Sequence, residues 1–252
     1  GNETQIFTQT KSGGFVKMME IPTSKNMEVG AVNFFDVDKD GDQDLSIVGE
    51  WMGIRILENQ KGNLTEIKTG LEKNLGFWNA ISKGDFDKDG DVDFIVGNLG
   101  TNTKLRKSAE GALKMYIKDI DKNESKEQIL TYNRGTDWFT VNTKDELGKQ
   151  MPGIINKRFV EYKEFAGKTV TEIFKSEELA DAEIKEINTF ESVYVENLGD
   201  HKFKLKPLPA YAQVSKIMSI LVQDVNSDGN LDAIIGGNYD GASMYHARYD
   251  AF

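Results

Sequence analysis

The chain has 252 residues, of which 38% are hydrophobic, and a formal charge of −10 at pH 7. This length allows one large domain or two small ones, and the acidity argues against nucleic acid as a partner, because phosphates need clustered Lys and Arg. Cysteine is absent, which excludes disulfides and thiolate metal sites. No apolar run reaches the roughly 18 residues that a membrane-spanning helix needs, so we predict no such helix.

The first recognisable unit in the chain is a strand, an acidic loop and a second strand. Residues 31–35 (AVNFF) are mostly apolar, the loop DVDKDGDQD covers 36–44, and LSIVG follows it directly. Short β-branched and aromatic runs bounded by Gly, Asn and Asp are typical of strands. Two more strands are predicted at 54–58 and 64–68.

Three further copies of this unit follow. DFDKDGDVDFIVGN starts at Asp85, DIDKNESKEQILTYN at Asp119 and DVNSDGNLDAIIGGN at Asp224, each between two strand-like runs. The starts of the four loops, which we number 1 to 4, are separated by 49, 34 and 105 residues. A repeat of roughly 40–50 residues with about four short antiparallel strands is typical of a β-propeller blade.

The longest interval contains a segment with helical signals. Thr143 and Glu146 have the spacing of a capping box, and so do Thr169 and Glu172. Apolar residues recur there at helical intervals, at Ile155, Phe159, Tyr162 and Ala166. A segment of this kind predicts an insertion, either within a blade or between blades.

These elements predict an all-β fold with a helical insertion, in which a partial β-propeller has blades of about four antiparallel strands and calcium-binding loops. We expect blades at 1–132, the helical insertion at 133–191, and further blade sequence at 192–252 that is continuous with the first part. This last part opens with a predicted hairpin, 192–197 and 202–208, around the turn LGDH.

The acidic loops have the pattern D-x-D-x-D-G-x-x-D, or a variant of it. Oxygen ligands at positions 1, 3, 5 and 9, with a main-chain carbonyl at position 7, suit Ca²⁺, which takes six to eight oxygens. Glycine at position 6 permits the positive φ of a sharp turn. The predicted calcium ligands are Asp36, Asp38, Asp40, Asp42 and Asp44 in loop 1; Asp85, Asp87, Asp89, Asp91 and Asp93 in loop 2; Asp119, Asp121, Asn123, Ser125 and Glu127 in loop 3; and Asp224, Asn226, Asp228, Asn230 and Asp232 in loop 4.

Loops 3 and 4 depart from the full pattern. Loop 4 keeps every ligand type but has Asn226 and Asn230 in place of two acids, so we expect weaker calcium binding there. Loop 3 has Glu124 where glycine is expected. The prediction is therefore three calcium ions, or four if loop 3 also binds one.

An EF-hand is the rival interpretation of such a loop. It requires a glutamate at position 12 on an emerging helix. Position 12 here is apolar in all four copies: Ile47, Val96, Leu130 and Ile235. The loops are therefore predicted to join strand to strand.

Charge supports the metal interpretation. The four loops hold 17 of the chain's 41 acidic residues, and four Ca²⁺ ions would change the formal charge from −10 to −2. Calcium binding would then be part of the folding free energy.

Sites of this type in extracellular modules bind at about 10⁻⁴–10⁻³ M, which predicts an extracytoplasmic protein. The N-terminal GNETQIFTQT has no signal-peptide pattern, so we expect any targeting segment to lie outside this sequence.

The order of motifs resembles the FG-GAP/VCBS repeats of integrin-α-like β-propellers, and most closely a group of secreted or surface-anchored proteins common in the Bacteroidetes. The resemblance covers nearly the whole chain, in VGEWMGIRILEN (48–59), 77–104, EQILTYN (127–133), 143–159 and 192–213. It implies a seven-bladed propeller, extracytoplasmic calcium, and a protein longer than this chain. It also implies a role in binding and assembly at a bacterial cell surface or outer membrane, with no catalytic residues to assign.

No catalytic motif is evident in the sequence. His201 and His246 have no acid–base neighbour at a telling spacing, and His201 is predicted in a surface turn. Several aromatic residues could bind a ligand. We expect Trp51 and Trp78 to pack in blade cores instead, whereas Tyr132, Tyr239 and Tyr245 stay candidate ligand-binding residues. Trp138 and Phe139 are the predicted partner-binding residues, because we expect the polar loop NRGTDWFT at the start of the insertion to be exposed.

The predicted function is a non-catalytic binding module for a protein or a glycan at a bacterial surface. Two alternatives stay open: a propeller-fold polysaccharide lyase or hydrolase, and a purely structural adhesin segment. Because exposed strand edges invite pairing, we expect the open edges of a partial propeller to be covered by the remainder of the propeller or by a neighbouring chain.

Overall fold

The computed structural model describes residues 5–21, 28–103, 105 and 111–238. The chain divides into two compact units: unit 1 comprises residues 1–102 and 190–252, and unit 2 comprises residues 103–189. The insertion was predicted to begin at 133. In the structure, unit 2 begins at 103, which is 30 residues earlier. The reason is that the two strands around loop 3, which the sequence predicts to be part of the blades, pair with each other and with further strands of unit 2.

The described secondary structure is mainly β, as predicted, and its α-helices lie within unit 2. The strands of unit 1 are β1 (Gln5–Gln9), β2 (Phe15–Glu20), β3 (Glu28–Phe35), β4 (Asp44–Met52), β5 (Arg55–Gln60), β6 (Asn63–Ile67), β7 (Gly76–Phe77), β8 (Ala80–Gly84), β9 (Asp93–Gly97), β14 (Val193–Asn197), β15 (Phe203–Pro207), β16 (Ser219–Gln223) and β17 (Asp232–Gly236). The strands of unit 2 are β10 (Leu113–Lys118), β11 (Glu127–Arg134), β12 (Asp137–Thr140) and β13 (Glu183–Ile187). The helices are α1 (Lys144–Gln150), α2 (Pro152–Arg158), α3 (Tyr162–Phe165), α4 (Val170–Ile173) and α5 (Ser176–Leu179).

Unit 1 contains two sheets built on the same four-stranded plan. The first runs β3-β4-β5-β6 in chain order with antiparallel neighbours, and β7 pairs with the end of β4 remote from loop 1. The second runs β8-β9-β14-β15, again antiparallel. Unit 2 is therefore inserted between the second and third strands of this sheet, where Phe94 of β9 pairs with Val195 of β14.

A third sheet of unit 1 is the β16–β17 hairpin, which carries loop 4. The first strands of the three sheets are neighbours, β3 beside β8 and β8 beside β16. Asp85 and Asp224 are 139 residues apart, and leaving out the 87 residues of unit 2 gives 52, close to the 49 between Asp36 and Asp85. Loops 1, 2 and 4 thus follow one structural period, to which loop 3 does not belong. The described residues do not form a closed ring.

An apolar core fills the space between the two four-stranded sheets of unit 1. Phe35 of β3 and Phe94 of β9 meet edge to face, with ring centroids 4.7 Å apart. Trp78 is completely buried, and its Nε1 donates to the carbonyl of Asn74 at 3.0 Å. The predicted packing role of Trp78 is confirmed.

Unit 2 has a sheet and a core of its own. The strand order is β12-β11-β10-β13, and the five helices connect β12 to β13. Ile129 of the sheet is buried with Leu147 of α1, with Ile155 of α2 and with Phe174. All buried members of this core come from residues 120–174. None of the described helices is long and apolar enough to span a bilayer.

The predicted helix starts of unit 2 are confirmed, but one predicted helix is divided. Thr143 and Thr169 each form a capping box at the start of α1 and α4. The run through Phe159 and Tyr162 is not continuous, because Phe159 is extended and ends α2. The N–H of Glu161 then donates to the side chain of Glu164, and this contact marks the start of a new helix, α3.

Candidate metal centre

All four acidic loops make the same kind of connection. Each connects two neighbouring antiparallel strands: β3 and β4, β8 and β9, β10 and β11, and β16 and β17. The residues at position 12 lie inside β4, β9, β11 and β17. The predicted strand-to-strand connection is confirmed, and the EF-hand arrangement is wrong for these loops.

The loops have a common turn with two left-handed residues. In loops 1 to 4, φ is 63°, 65°, 61° and 61° at position 4, and 93°, 87°, 70° and 83° at position 6. Glu124 adopts the conformation that glycine adopts in the other three loops. The position-6 N–H donates to the position-1 carboxylate at 2.9–3.2 Å, in the pairs Gly41–Asp36, Gly90–Asp85, Glu124–Asp119 and Gly229–Asp224. Loop 3 therefore has the same backbone fold as the others despite its glutamate.

The acid at position 9 ties each loop to its own beginning. One of its oxygens accepts a hydrogen bond from the N–H at position 2, at 2.5–3.2 Å, in the pairs Val37–Asp44, Phe86–Asp93, Ile120–Glu127 and Val225–Asp232. Asp44 and Asp93 are completely buried, and Glu127 nearly so. The acid is thus the first residue of the second strand and the closing contact of the loop.

Two asparagines that sequence reasoning missed complete this contact in loops 1 and 2. The N–H of Asn59 donates to Asp44 Oδ1 at 2.7 Å, and the N–H of Asn197 donates to Asp93 Oδ1 at 2.8 Å. Both follow a glutamate near the end of a sheet's third strand, in ILEN and YVEN. This repeated Glu-Asn pair is the signal that could have revealed them.

Loop 2 has a further partner in Tyr194. Its hydroxyl donates to Asp93 Oδ2 at 2.7 Å, and its ring meets Phe86 edge to face at 5.7 Å. Burial, followed by the hydrogen bond with Asp93, raises the pKa of Tyr194. The phenol is therefore protonated at neutral pH and acts as a donor to the loop.

Each of loops 1 to 3 leaves one buried carboxylate oxygen without a hydrogen-bond partner: Asp36 Oδ1, Asp85 Oδ1 and Asp121 Oδ1. Such an orphan costs about 1–3 kcal/mol, and more when charged. Each belongs to a group of three carboxylates whose oxygens lie within 4.8 Å of one another: Asp36, Asp38 and Asp40; Asp85, Asp87 and Asp93; Asp119, Asp121 and Glu127. A cation among them would supply the missing partner and offset the repulsion, and an all-oxygen donor set favours a hard ion such as Ca²⁺. The residues present fit calcium.

The buried acids carry the electrostatic cost of this arrangement. Burial raises the pKa of Asp44, and the charges of Asp38 and Asp36 raise it further, against the lowering effect of its backbone hydrogen bonds. Burial likewise raises the pKa of Glu127. A divalent cation would reverse this effect, because an opposite charge nearby favours the ionised carboxylate.

Loop 4 is the least acidic of the four. Among the residues that the structure describes, its side chains form no group of three carboxylates like those above, because Asn226 replaces the acid at position 3. Asp232 is only half-buried, whereas Asp44 and Asp93 are completely buried. The lower charge is the physical basis for the predicted weaker calcium binding.

The predicted partner-binding residues Trp138 and Phe139 lie on strand β12, not in a loop. Trp138 is half-buried, and Lys114 Nζ lies 4.7 Å from its ring centroid. Phe139 lies 5.9 Å from Tyr132 between ring centroids. Both rings therefore contact other residues of unit 2, whereas the sequence predicted an exposed loop.

The remaining residues that the sequence singled out lie outside the four acidic loops. Trp51 is half-buried and meets Phe77 edge to face at 5.0 Å. His201 lies in the β14–β15 turn, as predicted, with Nε2 3.5 Å from Glu58 Oε2. Three further candidates lie outside the described residues: Tyr239, Tyr245 and His246.

Comparison with known families supports the loop assignment. A family model described as an FG-GAP-like repeat matches residues 36–96, which begin at loop 1 and end beyond loop 2. No curated protein and no solved structure gives a significant match. The segment that is similar to an FG-GAP-like repeat therefore contains the two fully acidic loops.

Proposed function

We propose that the chain is part of an extracytoplasmic, calcium-stabilised FG-GAP β-propeller that acts as a non-catalytic binding or assembly module for a protein or a glycan at a bacterial cell surface. The observation that carries the proposal is the set of buried carboxylate oxygens without a hydrogen-bond partner, one in each of loops 1 to 3, within groups of three carboxylates. The FG-GAP-like match over residues 36–96 supports the family.

The sheet arrangement supports the propeller. Each four-stranded sheet is an antiparallel meander, and the first strands β3, β8 and β16 lie side by side. Successive blades around a propeller axis have this relation. Calcium would be held by the oxygens of Asp36, Asp38 and Asp40 in loop 1, of Asp85, Asp87 and Asp93 in loop 2, and of Asp119, Asp121 and Glu127 in loop 3. Its contribution is structural, since it neutralises acids at a turn between two paired strands.

Thermal melting in calcium and in chelator tests the metal. With about 2 mM calcium and sites of about 10⁻⁴–10⁻³ M, each ion stabilises the fold by roughly 0.6–1.8 kcal/mol. We expect the melting temperature to rise by about 4–29 °C for three or four ions. Magnesium at the same concentration should give a smaller rise, because it prefers a rigid octahedral site and keeps its waters.

A pair of single variants makes this test site-specific. Asp85→Asn removes the charge of an orphaned loop ligand and should reduce the calcium-induced rise by about one site's share. Asp200→Asn is the matched control, because that side chain is 90% exposed and lies outside the loops. Equal melting temperatures in calcium and chelator for the unsubstituted chain would refute calcium stabilisation.

The binding role is proposed for unit 2, since additions to a rigid scaffold commonly carry function. This unit exposes Val160 and Tyr162, with 75% and 60% of their surface accessible. A glycan array and a pull-down from bacterial surface extract, each repeated with Tyr162→Ala, test the proposal. Tyr211→Ala in unit 1, where the side chain is 89% exposed, is the control. A purely structural segment would capture nothing in either assay, and turnover of an acidic polysaccharide would contradict the non-catalytic role.

A further inference from the structure

The calcium loops of neighbouring sheets are linked by lysines at position 4. Lys39 of loop 1 reaches loop 2, where its Nζ lies 2.6 Å from Asp91 Oδ1. The same ammonium is 4.0 Å from the place that a Cβ on Gly90 would occupy. The side chain of Asp91 is mostly buried and that of Lys39 is mostly exposed, so the lysine lies over the surface of the neighbouring loop.

The arrangement repeats between loops 2 and 4. Lys88 is the position-4 residue of loop 2, and its Nζ is 4.0 Å from the place that a Cβ on Gly229 would occupy. Its charge also acts on Asp228 of loop 4. The same position of each loop therefore approaches the position-6 glycine of the next loop along the sheet series. In loop 4 the position is Ser227, which carries no charge.

An exposed ion pair is usually worth little, but Lys39 faces a group of acids and not a single one, whereas Lys88 acts on Asp228 of the less acidic loop 4. Lys39 is influenced by Asp85 and Asp89 as well as by Asp91. In the calcium-free loop 2 the ammonium of Lys39 lies beside these carboxylates, whereas calcium brings two positive charges to the same group. The attraction of the lysine is then weaker, because Coulomb energy scales with the net charge that it faces.

We propose that Lys39 and Lys88 are internal counter-cations of the calcium loops: each stabilises the calcium-free form of the next loop and thereby lowers the calcium affinity of that loop. The proposal rests on calcium binding as proposed above and concerns the regulation of the same sites. It makes each loop's affinity depend on a residue of the preceding sheet. Loop 2 depends on Lys39, and loop 4 depends on Lys88.

Calcium titration of the ¹⁵N-labelled full chain resolves the sites, because the N–H groups of Gly41, Gly90 and Gly229 each bond inside their own loop. We expect Lys39→Met to tighten the calcium affinity reported by Gly90 about three- to tenfold, with a smaller change at Gly41. Lys88→Met should have the same effect at Gly229.

Two controls separate charge from other effects. Lys39→Arg keeps the charge and should keep the affinity of the unsubstituted chain at Gly90. Lys122→Met changes position 4 of loop 3, in unit 2, and measures the effect of such a lysine on its own loop; it should leave Gly90 and Gly229 unchanged. In chelator, Lys39→Met should melt a few degrees lower than the unsubstituted chain.

The outcomes distinguish the two proposals. If the glycine signals of the unsubstituted chain do not respond to calcium, calcium binding itself is refuted. If they respond, but Lys39→Met leaves the affinity at Gly90 unchanged or weakens it, the counter-cation role is refuted and calcium binding stands. A gain at Gly41 as large as that at Gly90 would also refute it, because the lysine would then act on its own loop.

Discussion

Position 6 of the acidic loops has a left-handed backbone in all four copies, and the residue at this position decides how strained the turn is. Gly41, Gly90 and Gly229 have positive φ, and Glu124 has φ of 70° at the same position. A side chain with a Cβ is strained there by roughly 1–2 kcal/mol, whereas glycine is not. Loop 3 nevertheless keeps the hydrogen bonds from position 6 to position 1 and from position 2 to position 9, so its closing contacts outweigh this strain.

Replacing Glu124 by Gly should therefore stabilise loop 3. We expect a gain of about 0.5–1 kcal/mol in the free energy of unfolding of unit 2, because part of the relieved strain is offset by the greater freedom of glycine in the unfolded chain. Hydrogen exchange of the amides in β10 and β11 measures this gain. Calcium affinity at loop 3 should rise as well, since the calcium-binding fold of the loop becomes easier to adopt.

The converse substitution is the control. Gly41→Ala places a Cβ where nothing lies within 4 Å, so it tests backbone strain without a clash and should destabilise unit 1 by about 1 kcal/mol. An unchanged stability for both Glu124→Gly and Gly41→Ala would show that left-handed strain plays no part in these loops.

At this scale the sequence predicted the loops well and their partners poorly. The acids of loop 1 recur at fixed spacing, so a local pattern identifies them. The backbone N–H of Asn59 contacts Asp44 across 15 positions, and that of Asn197 contacts Asp93 across 104. Such contacts depend on sheet topology, which a local pattern does not contain.

At the scale of elements, an ion pair joins two short helices of unit 2. Arg158 at the end of α2 donates to both carboxylate oxygens of Glu178 in α5, at 3.0 and 2.7 Å, and to the carbonyl of Ile173 at 2.6 Å. Both side chains are mostly buried. Helices of four to seven residues are too short to be stable alone, so contacts between them decide whether they form.

Glu178→Gln should destabilise unit 2 by about 1–2 kcal/mol at pH 7. The hydrogen bond from Arg158 lowers the pKa of Glu178 from its ordinary value. Its stabilisation is therefore fully present above the ordinary glutamate pKa, and it is lost as pH falls towards the lowered pKa of the folded state. The difference in hydrogen exchange of the α2 amides between the unsubstituted chain and the variant should be large at pH 7 and should shrink towards pH 3.

Glu177→Gln is the matched control for this pair, because Glu177 lies in the same helix with a side chain that is 77% exposed. It should leave the exchange of α2 within about twofold of the unsubstituted chain. A pH-independent difference for Glu178→Gln would mean that the residue acts by packing and not by its charge.

The elements of unit 2 were also the hardest to predict. Capping boxes at Thr143 and Thr169 use neighbouring residues only, and both were predicted correctly. The break at Phe159 and the strands β12 and β13 were missed. Strand β13 (EIKEI) has alternating charge without a run of apolar residues, and it is held by antiparallel pairing with β10, about 70 residues earlier in the chain.

At the scale of the whole molecule, the main lesson is the position of the insertion. Four similar loops predicted four blades, but the strands of loop 3 pair inside unit 2. A repeated motif therefore identifies a repeated hairpin and does not fix which sheet the hairpin joins. The irregular intervals between the four loops indicated that one hairpin lies outside the series, since a regular period is restored only when residues 103–189 are left out.

The two cores predict that unit 1 folds without unit 2. Its core contains no residue of 103–189, and the chain segments that enter and leave the insertion are already joined. The N–H of Asn98 donates to Ser192 Oγ at 2.9 Å, and the N–H of Gly100 donates to the carbonyl of Phe190 at 2.8 Å. Replacing 103–189 by a short Gly-Ser linker closes a shorter loop at little entropic cost.

We expect this shortened chain to melt cooperatively and to keep a calcium-induced rise in melting temperature from loops 1, 2 and 4. Trp51 and Trp78 remain as fluorescent probes, because Trp138 is removed with unit 2. Trp78→Ala in the shortened chain is the control: it should cost about 3–5 kcal/mol and broaden or abolish the transition. A shortened chain with no cooperative transition in saturating calcium would contradict the independence of unit 1. In that case unit 2 would be required to hold β9 and β14 together, and the division into two cores would not correspond to two folding units.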